Sequence, residues 1–317
     1  MFWLRLLGVL ALIGGAFWIF GPREPADLGP VAVDLPEDLD GWLAARDAGI
    51  RPDVAGVLTP GGGDLAIVNL HGFSASPAEI RPLPENLAAR LDAGLFVPRL
   101  TGHGQDGAAM AQARVADWWR DTALAVAVGR RLGRRVVLIG TSTGATLAAE
   151  AARDPVLGPQ IDAVVLISAN FRVQNRAAAL LRWPLARYWA PLIAGRERCF
   201  EVMNDAHAAG WTVCYPTVAA LPMAALVARA GQGGYGAARQ PMLMIRDPRD
   251  AVVDPAAADR AASTWGGPVT IRDVTVGAGD DPSAHVIAGD AFSPGMTVLV
   301  TDLVAGWIAD TLPDPAR

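Results

Sequence analysis

Short apolar runs recur along this chain, each closed by glycine or a polar turn and most followed by a longer stretch with helical spacing. Residues 65–70 form such a run (Leu-Ala-Ile-Val-Asn-Leu), and residues 95–97, 135–139, 163–167, 241–245 and 269–274 form others. Runs this short, without polar alternation, suit strands buried on both faces of a sheet. Between them the spacing predicts helices over 77–91, 115–132, 255–265 and 295–312. The 115–132 helix carries Asp117 near its start and Arg130 and Arg131 near its end, the charge order that a helix dipole favours. Strand–helix alternation predicts an α/β fold, with a mainly parallel sheet covered by helices on both faces.

The alternation stops between residues 170 and 240. Trp183, Tyr188, Trp189, Trp211 and Tyr215 gather there among prolines, which predicts a helical cap inserted over the sheet. The core is therefore expected in two pieces, 64–169 and 241–317. Residues 25–63, rich in proline, glycine and aspartate, read as a linker with an irregular or edge-strand start. Residues 6–20 are uncharged and apolar, and Arg5 precedes them. Their length falls between a signal-peptide core and a full span. Residues 1–24 are therefore read as an uncleaved inner-membrane anchor, with the body outside the cytoplasm. A cleaved signal, leaving a secreted or periplasmic body, and a buried helix are the alternatives.

A net charge of −5 argues against a nucleic-acid partner. The two cysteines, Cys199 and Cys214, can pair in an exported domain or sit as small buried hydrophobes; spacing leaves both open. The four scattered histidines add no metal-ligand spacing to the two cysteines, and neither metal nor cofactor is expected.

The strand at 135–139 closes with Gly140-Thr141-Ser142-Thr143-Gly144 and opens into a small-residue helix. G-x-S-x-G in that context is the sequence form of a nucleophile elbow. A serine hydroxyl needs a base to take its proton, and the base needs an acid to orient it. Chain order then points to His285 as base and Asp250 as acid, with Asp247 and Asp254 as rivals to Asp250. Asp254, just before Pro255, reads better as a helix cap. An oxyanion needs donors: Thr143 N–H follows the nucleophile, and Phe73 N–H follows the glycine of Leu70-His71-Gly72-Phe73. His71 and His103 are read as shaping their loops, and His207 as structural or solvent-facing.

Together, His71-Gly72-Phe73, Gly102-His103-Gly104, the elbow at Ser142, Asp250 with Val252-Val253, and His285 with Ile287-Ala288-Gly289 resemble the α/β-hydrolase superfamily. The stretch from His71 to Glu79 resembles its carboxylesterase and monoacylglycerol-lipase-like branch. The resemblance covers roughly residues 60 to 311. It implies a cofactor-free serine hydrolase with Ser142 as nucleophile, His285 as base and Asp250 as its orienter, acting on an ester or lipid. Threonines on both sides of Ser142 and the segment 170–240 depart from the pattern. Thioesterase, peptidase or acyltransferase use of the same residues, and a non-catalytic membrane-anchored binding protein, are the alternative readings.

Overall fold

The computed structural model describes residues 14–313 together with Trp3 and Arg5. Nine strands are named along the described chain: β1 Val57–Thr59, β2 Leu65–Leu70, β3 Gly94–Val97, β4 Arg135–Thr141, β5 Ala163–Ile167, β6 Glu197–Cys199, β7 Cys214–Pro216, β8 Met242–Arg246 and β9 Val269–Asp273. Seven of them form one sheet in the order β1-β3-β2-β4-β5-β8-β9. β1 runs antiparallel to β3, and every other neighbouring pair is parallel.

Alternate residues of the central strands feed two separate cores. Val68, Leu70, Val136 and Leu138 face one, and Ile67, Val137, Ile139 and Val165 face the other. Five helices cover these faces: α1 Leu83–Leu91, α2 Val115–Leu132, α3 Thr143–Arg153, α4 Pro255–Ser263 and α5 Pro294–Thr311. Side chains of α2, α3 and α4 pack into the first core, and those of α1 and α5 into the second. This two-sided burial is why the strands read as continuous apolar runs rather than alternating ones.

Helix boundaries agree with the periodicity to within two residues, except for α1. A helix over 77–91 was expected, but α1 begins at Leu83 after turns through residues 77–82. Pro77, Pro82 and Pro84 explain the late start: a proline lacks the N–H that a helix interior needs and fits only its first turn.

The stretch ahead of the sheet is packed rather than free. Ala26, Leu28, Val31, Val33 and Leu35 lie against the first core, and Trp119 Nε1 donates to Gly29 O at 2.9 Å. A short helix, Leu39–Arg46, leads from this strap to edge strand β1. Glu24, at the start of the strap, pairs with Arg187 at 2.6 Å.

Residues 170–240 contribute no strand to the large sheet. Alongside the 3₁₀ segment Arg176–Arg182 and the helices Ala186–Ile193, Asp205–Gly210 and Ala220–Ala230, they form a two-stranded hairpin of β6 and β7. Cys199 and Cys214 face each other across that hairpin and are disulfide-bonded. Both are exposed, so the reading as buried hydrophobes fails.

Among the described residues no helix is long and apolar enough to cross a membrane. Of the segment on which the anchor was expected, residues 1, 2, 4 and 6–13 lie outside the described residues. Residues 14–20 are helical, with Phe17 to Phe20 exposed, and Trp18 meets Trp183 edge-on at 5.1 Å.

Candidate active site

Two glycines make the turn after β4 possible. A Cβ on Gly140 would fall 2.4 Å from Gly144 O, and one on Gly144 would fall 2.1 Å from Leu70 O. Only hydrogen fits at either place, so β4 can fold back tightly into α3. Ser142, between them, takes φ 52° and ψ −115°, a conformation L-residues hold only when their surroundings enforce it. The enforcement is visible: Ser142 N–H donates to Ile167 O at 2.9 Å, and Asn170 N–H donates to Ser142 O at 3.2 Å. The positive end of α3 lies at the serine, which favours negative charge developing there.

Ser142 Oγ lies 3.0 Å from His285 Nε2, and His285 Nδ1 lies 2.8 Å from Asp250 Oδ2. All three residues are buried. Asp250 reaches the histidine because its other oxygen, Oδ1, accepts from Val252 N–H at 2.8 Å and Val253 N–H at 2.9 Å. With Nδ1–H donating to Asp250, Nε2 of the neutral ring is free to accept from the serine hydroxyl. Burial alone would lower the pKa of His285. Its hydrogen bond to Asp250, with the negative charge of Asp250, Glu79 and Asp281, outweighs burial and holds it above the ordinary 6.5.

The rival aspartates have other partners. Asp247 accepts from Arg249 N–H, from the Arg249 guanidinium at 2.6 Å and from Val276 N–H, and the Arg249 side chain pulls its carboxyl down to about 2. Asp254 caps α4 through Ala256 N–H at 3.0 Å and pairs with Arg172. Neither is hydrogen-bonded to His285.

Gly72 brings the early loop to the nucleophile: a Cβ there would lie 3.2 Å from Ser142 Cβ. Phe73 follows it, and its ring packs edge-on against His103, Trp118 and Tyr215. The N–H of Thr143, the first residue of α3, has no carbonyl within its own helix to bond. His71 supports the loop: Leu100 N–H donates to its Nε2 at 3.1 Å, so Nδ1 carries the proton and donates to Gly72 O at 2.9 Å. Burial lowers the pKa of His71 well below its ordinary value and that of His103 to about 4, so both rings are neutral near pH 7. His207 is buried against Trp211 and Phe292 and accepts from Met203 N–H at 3.2 Å.

Three residues of this neighbourhood were not singled out from the sequence for a role. Asp281 accepts from His285 N–H at 3.1 Å and Val286 N–H at 2.7 Å, and so shapes the histidine loop. The turn-forming run Asp281-Pro282-Ser283 was its sequence signal. Asn170 lies buried 3.4 Å from Thr143 Oγ1, with an amide oxygen that has no partner among the described residues. Glu79 is buried and accepts from Gly72 N–H at 2.7 Å. Nothing in the local sequence sets these last two apart. Among the described residues no group of three or more His, Cys, Asp or Glu side chains is disposed to hold a metal ion.

Such a strand-turn-serine-helix, with a histidine and an aspartate delivered from the loops after β9 and β8, defines a class. Residues 67–305 match the model of the alpha/beta hydrolase family, and the chain belongs to that family of hydrolytic enzymes. Among solved structures it is similar to one described with LipS and LipT, two metagenome-derived lipolytic enzymes, at 22% identity and a TM-score of 0.67. That match covers 82% of this chain and 99% of the other. It is also similar to a soluble variant of monoglyceride lipase from Saccharomyces cerevisiae, at 13% identity and a TM-score of 0.60, covering 92% and 99% of the two chains. A monoacylglycerol lipase from Paleococcus ferrophilus is similar at 14% identity and a TM-score of 0.57, covering 81% and 98%. At these identities the likeness is one of fold. No curated protein sequence matches the chain.

Proposed function

We propose that the protein is a serine esterase cleaving carboxylic esters with acyl or lipid-like groups. The observation that carries this reading is the hydrogen-bonded line Ser142–His285–Asp250, at 3.0 and 2.8 Å, on a strained serine turn. Ser142 Oγ attacks the ester carbonyl as its proton passes to His285 Nε2. Asp250 holds the imidazole in its productive tautomer and stabilises the imidazolium. The N–H groups of Phe73 and Thr143 receive the oxyanion. Collapse expels the alcohol, protonated by His285, and leaves an acyl-serine. Water then attacks with His285 again as base, releasing the acid and restoring Ser142. Every step needs only water and the ester. The lipolytic enzyme and monoacylglycerol lipases among the similar folds support an acyl-ester substrate over a peptide or thioester.

The test is a p-nitrophenyl ester series of rising chain length on the full chain, with fluorophosphonate labelling alongside. Turnover and labelling should both disappear in Ser142→Ala, kcat falling roughly a thousandfold or more. Faster turnover of matched thioesters or anilides would reassign the substrate class. A folded wild-type protein that neither labels nor turns over any ester would return the reading to a binding protein.

The reading extends to location. The Cys199–Cys214 bond suits an oxidising compartment, and the apolar start of the chain suits attachment to the inner membrane with the body outside the cytoplasm. Membrane fractionation followed by high-salt and detergent washes checks it. Release by salt alone, or recovery with the cytosol, would remove it.

A further inference from the structure

Glu79 is a carboxylic acid shut away from water, at 4% exposure, yet it makes no ion pair among the described residues. Its Oε2 accepts from Gly72 N–H at 2.7 Å, and its Oε1 stands where a Cβ on Gly72 would meet it at 2.6 Å. Gly72 is the residue pressed against Ser142, and the next N–H along the chain is that of Phe73. The carboxylate therefore grips the turn at the peptide just before the proposed oxyanion donor. The other side of the same segment touches the histidine loop. Gly289, at φ 94°, has room for hydrogen alone, because a Cβ would fall 2.6 Å from Ile80 Cα and 2.8 Å from Glu79 O. Asp290 N–H donates to Arg81 O at 2.9 Å.

We propose that Glu79 is a positioning residue that clamps the Gly72–Phe73 turn against Ser142 and adds its charge to the field on His285. This rests on the reading of Ser142, His285 and Phe73 N–H as the working groups of an esterase. The charged groups facing His285 are Asp250 from the loop after β8, Asp281 from its own loop, and Glu79 from the segment after β2. Glu79 in turn faces the Gly72 N–H and His285; burial pushes its carboxyl up to about 7 against both. Ionised Glu79 favours the imidazolium, so removing its charge lowers the pKa of His285.

Two substitutions separate the clamp from the charge. Glu79→Gln keeps an oxygen to accept from Gly72 N–H and removes the charge. Its kcat at the alkaline plateau should stay within about threefold of wild type, and the acid limb of kcat/KM should move down by about half a pH unit. Glu79→Ala leaves the buried N–H without a partner and the turn without its clamp. Its kcat should fall about ten- to a hundredfold, KM changing less than about threefold, since an oxyanion donor acts on the transition state. Wild type and Ser142→Ala run alongside with the fluorophosphonate probe. If wild type labels and turns over while Glu79→Ala keeps its kcat and Glu79→Gln its pH profile, the role of Glu79 falls and the esterase reading stands. Equal losses in both variants with no shift of the acid limb would also overturn it. Should Glu79→Ala fail to fold, the Glu79→Gln profile decides: a shifted limb supports the role and an unshifted one removes it. A wild-type protein without labelling or turnover removes reading and role together.

Discussion

Asp247, Asp250 and Asp254 share one short loop and one side-chain chemistry, and their donors decide what each does. Asp250 alone spends one oxygen on two backbone N–H groups and turns the other to His285. Asp250→Asn should keep the fold and lower kcat by about four orders of magnitude, because the amide favours the wrong imidazole tautomer; ester turnover beside a circular dichroism spectrum checks it. Because His285 is held above 6.5 and must be neutral to accept a proton, the acid limb of kcat/KM should lie above 6.5. Asp247, lowered to about 2, binds its proton less readily folded than unfolded. Its stabilisation is thus complete above the ordinary 3.8 and lost as pH falls through about 2. Unfolding midpoints of wild type and Asp247→Asn should therefore differ at pH 6 and converge toward pH 2. That Ser142, His285 and Asp250 would come together was legible, because their order and the G-x-S-x-G spacing are written along the chain. Glu79 and Asn170 were not, since their partners Gly72 and Thr143 become neighbours only in the fold.

At the scale of elements, the central strands β2, β3, β4, β5 and β8 were legible to within two residues, because burial on both faces leaves an uninterrupted apolar signature. The start of α1 was not, because helical spacing continues through residues that prolines keep out of a helix. The β6–β7 pair was hidden as well: strands of three residues are too short to show an alternation. Its disulfide closes a 15-residue separation, which in the chain-entropy account contributes about 3 kcal/mol. Reduction, or Cys199→Ser with Cys214→Ser, should lower the melting temperature by several degrees while leaving Ser142 reactive toward phosphonate. The elbow is less forgiving. Gly144→Ala would press a methyl group into Leu70 O, so the strand-to-helix turn must open. Loss of phosphonate labelling together with a lower unfolding midpoint is the expected outcome.

Over the whole molecule, the parallel sheet gathers three distant parts of the sequence at the carboxyl ends of its strands, where ligands bind in open α/β folds. The core pattern announced that architecture, whereas residues 22–63 carry too much proline and glycine to announce how they pack. Alternate apolar positions at 26, 28, 31, 33 and 35 were the available clue, and they lie along the first core like the teeth of a zip. This fixes where the polypeptide can be cut. A protein starting just ahead of Glu24 keeps the Arg187 pair and every tooth, and should be recovered as a monodisperse solution. One starting after residue 35 bares the groove those five side chains cover and strips Trp119 of its acceptor at Gly29. Such a product should clump on concentration even though every group around Ser142 is still present, so a soluble but shortened preparation reports on the strap before it reports on the chemistry.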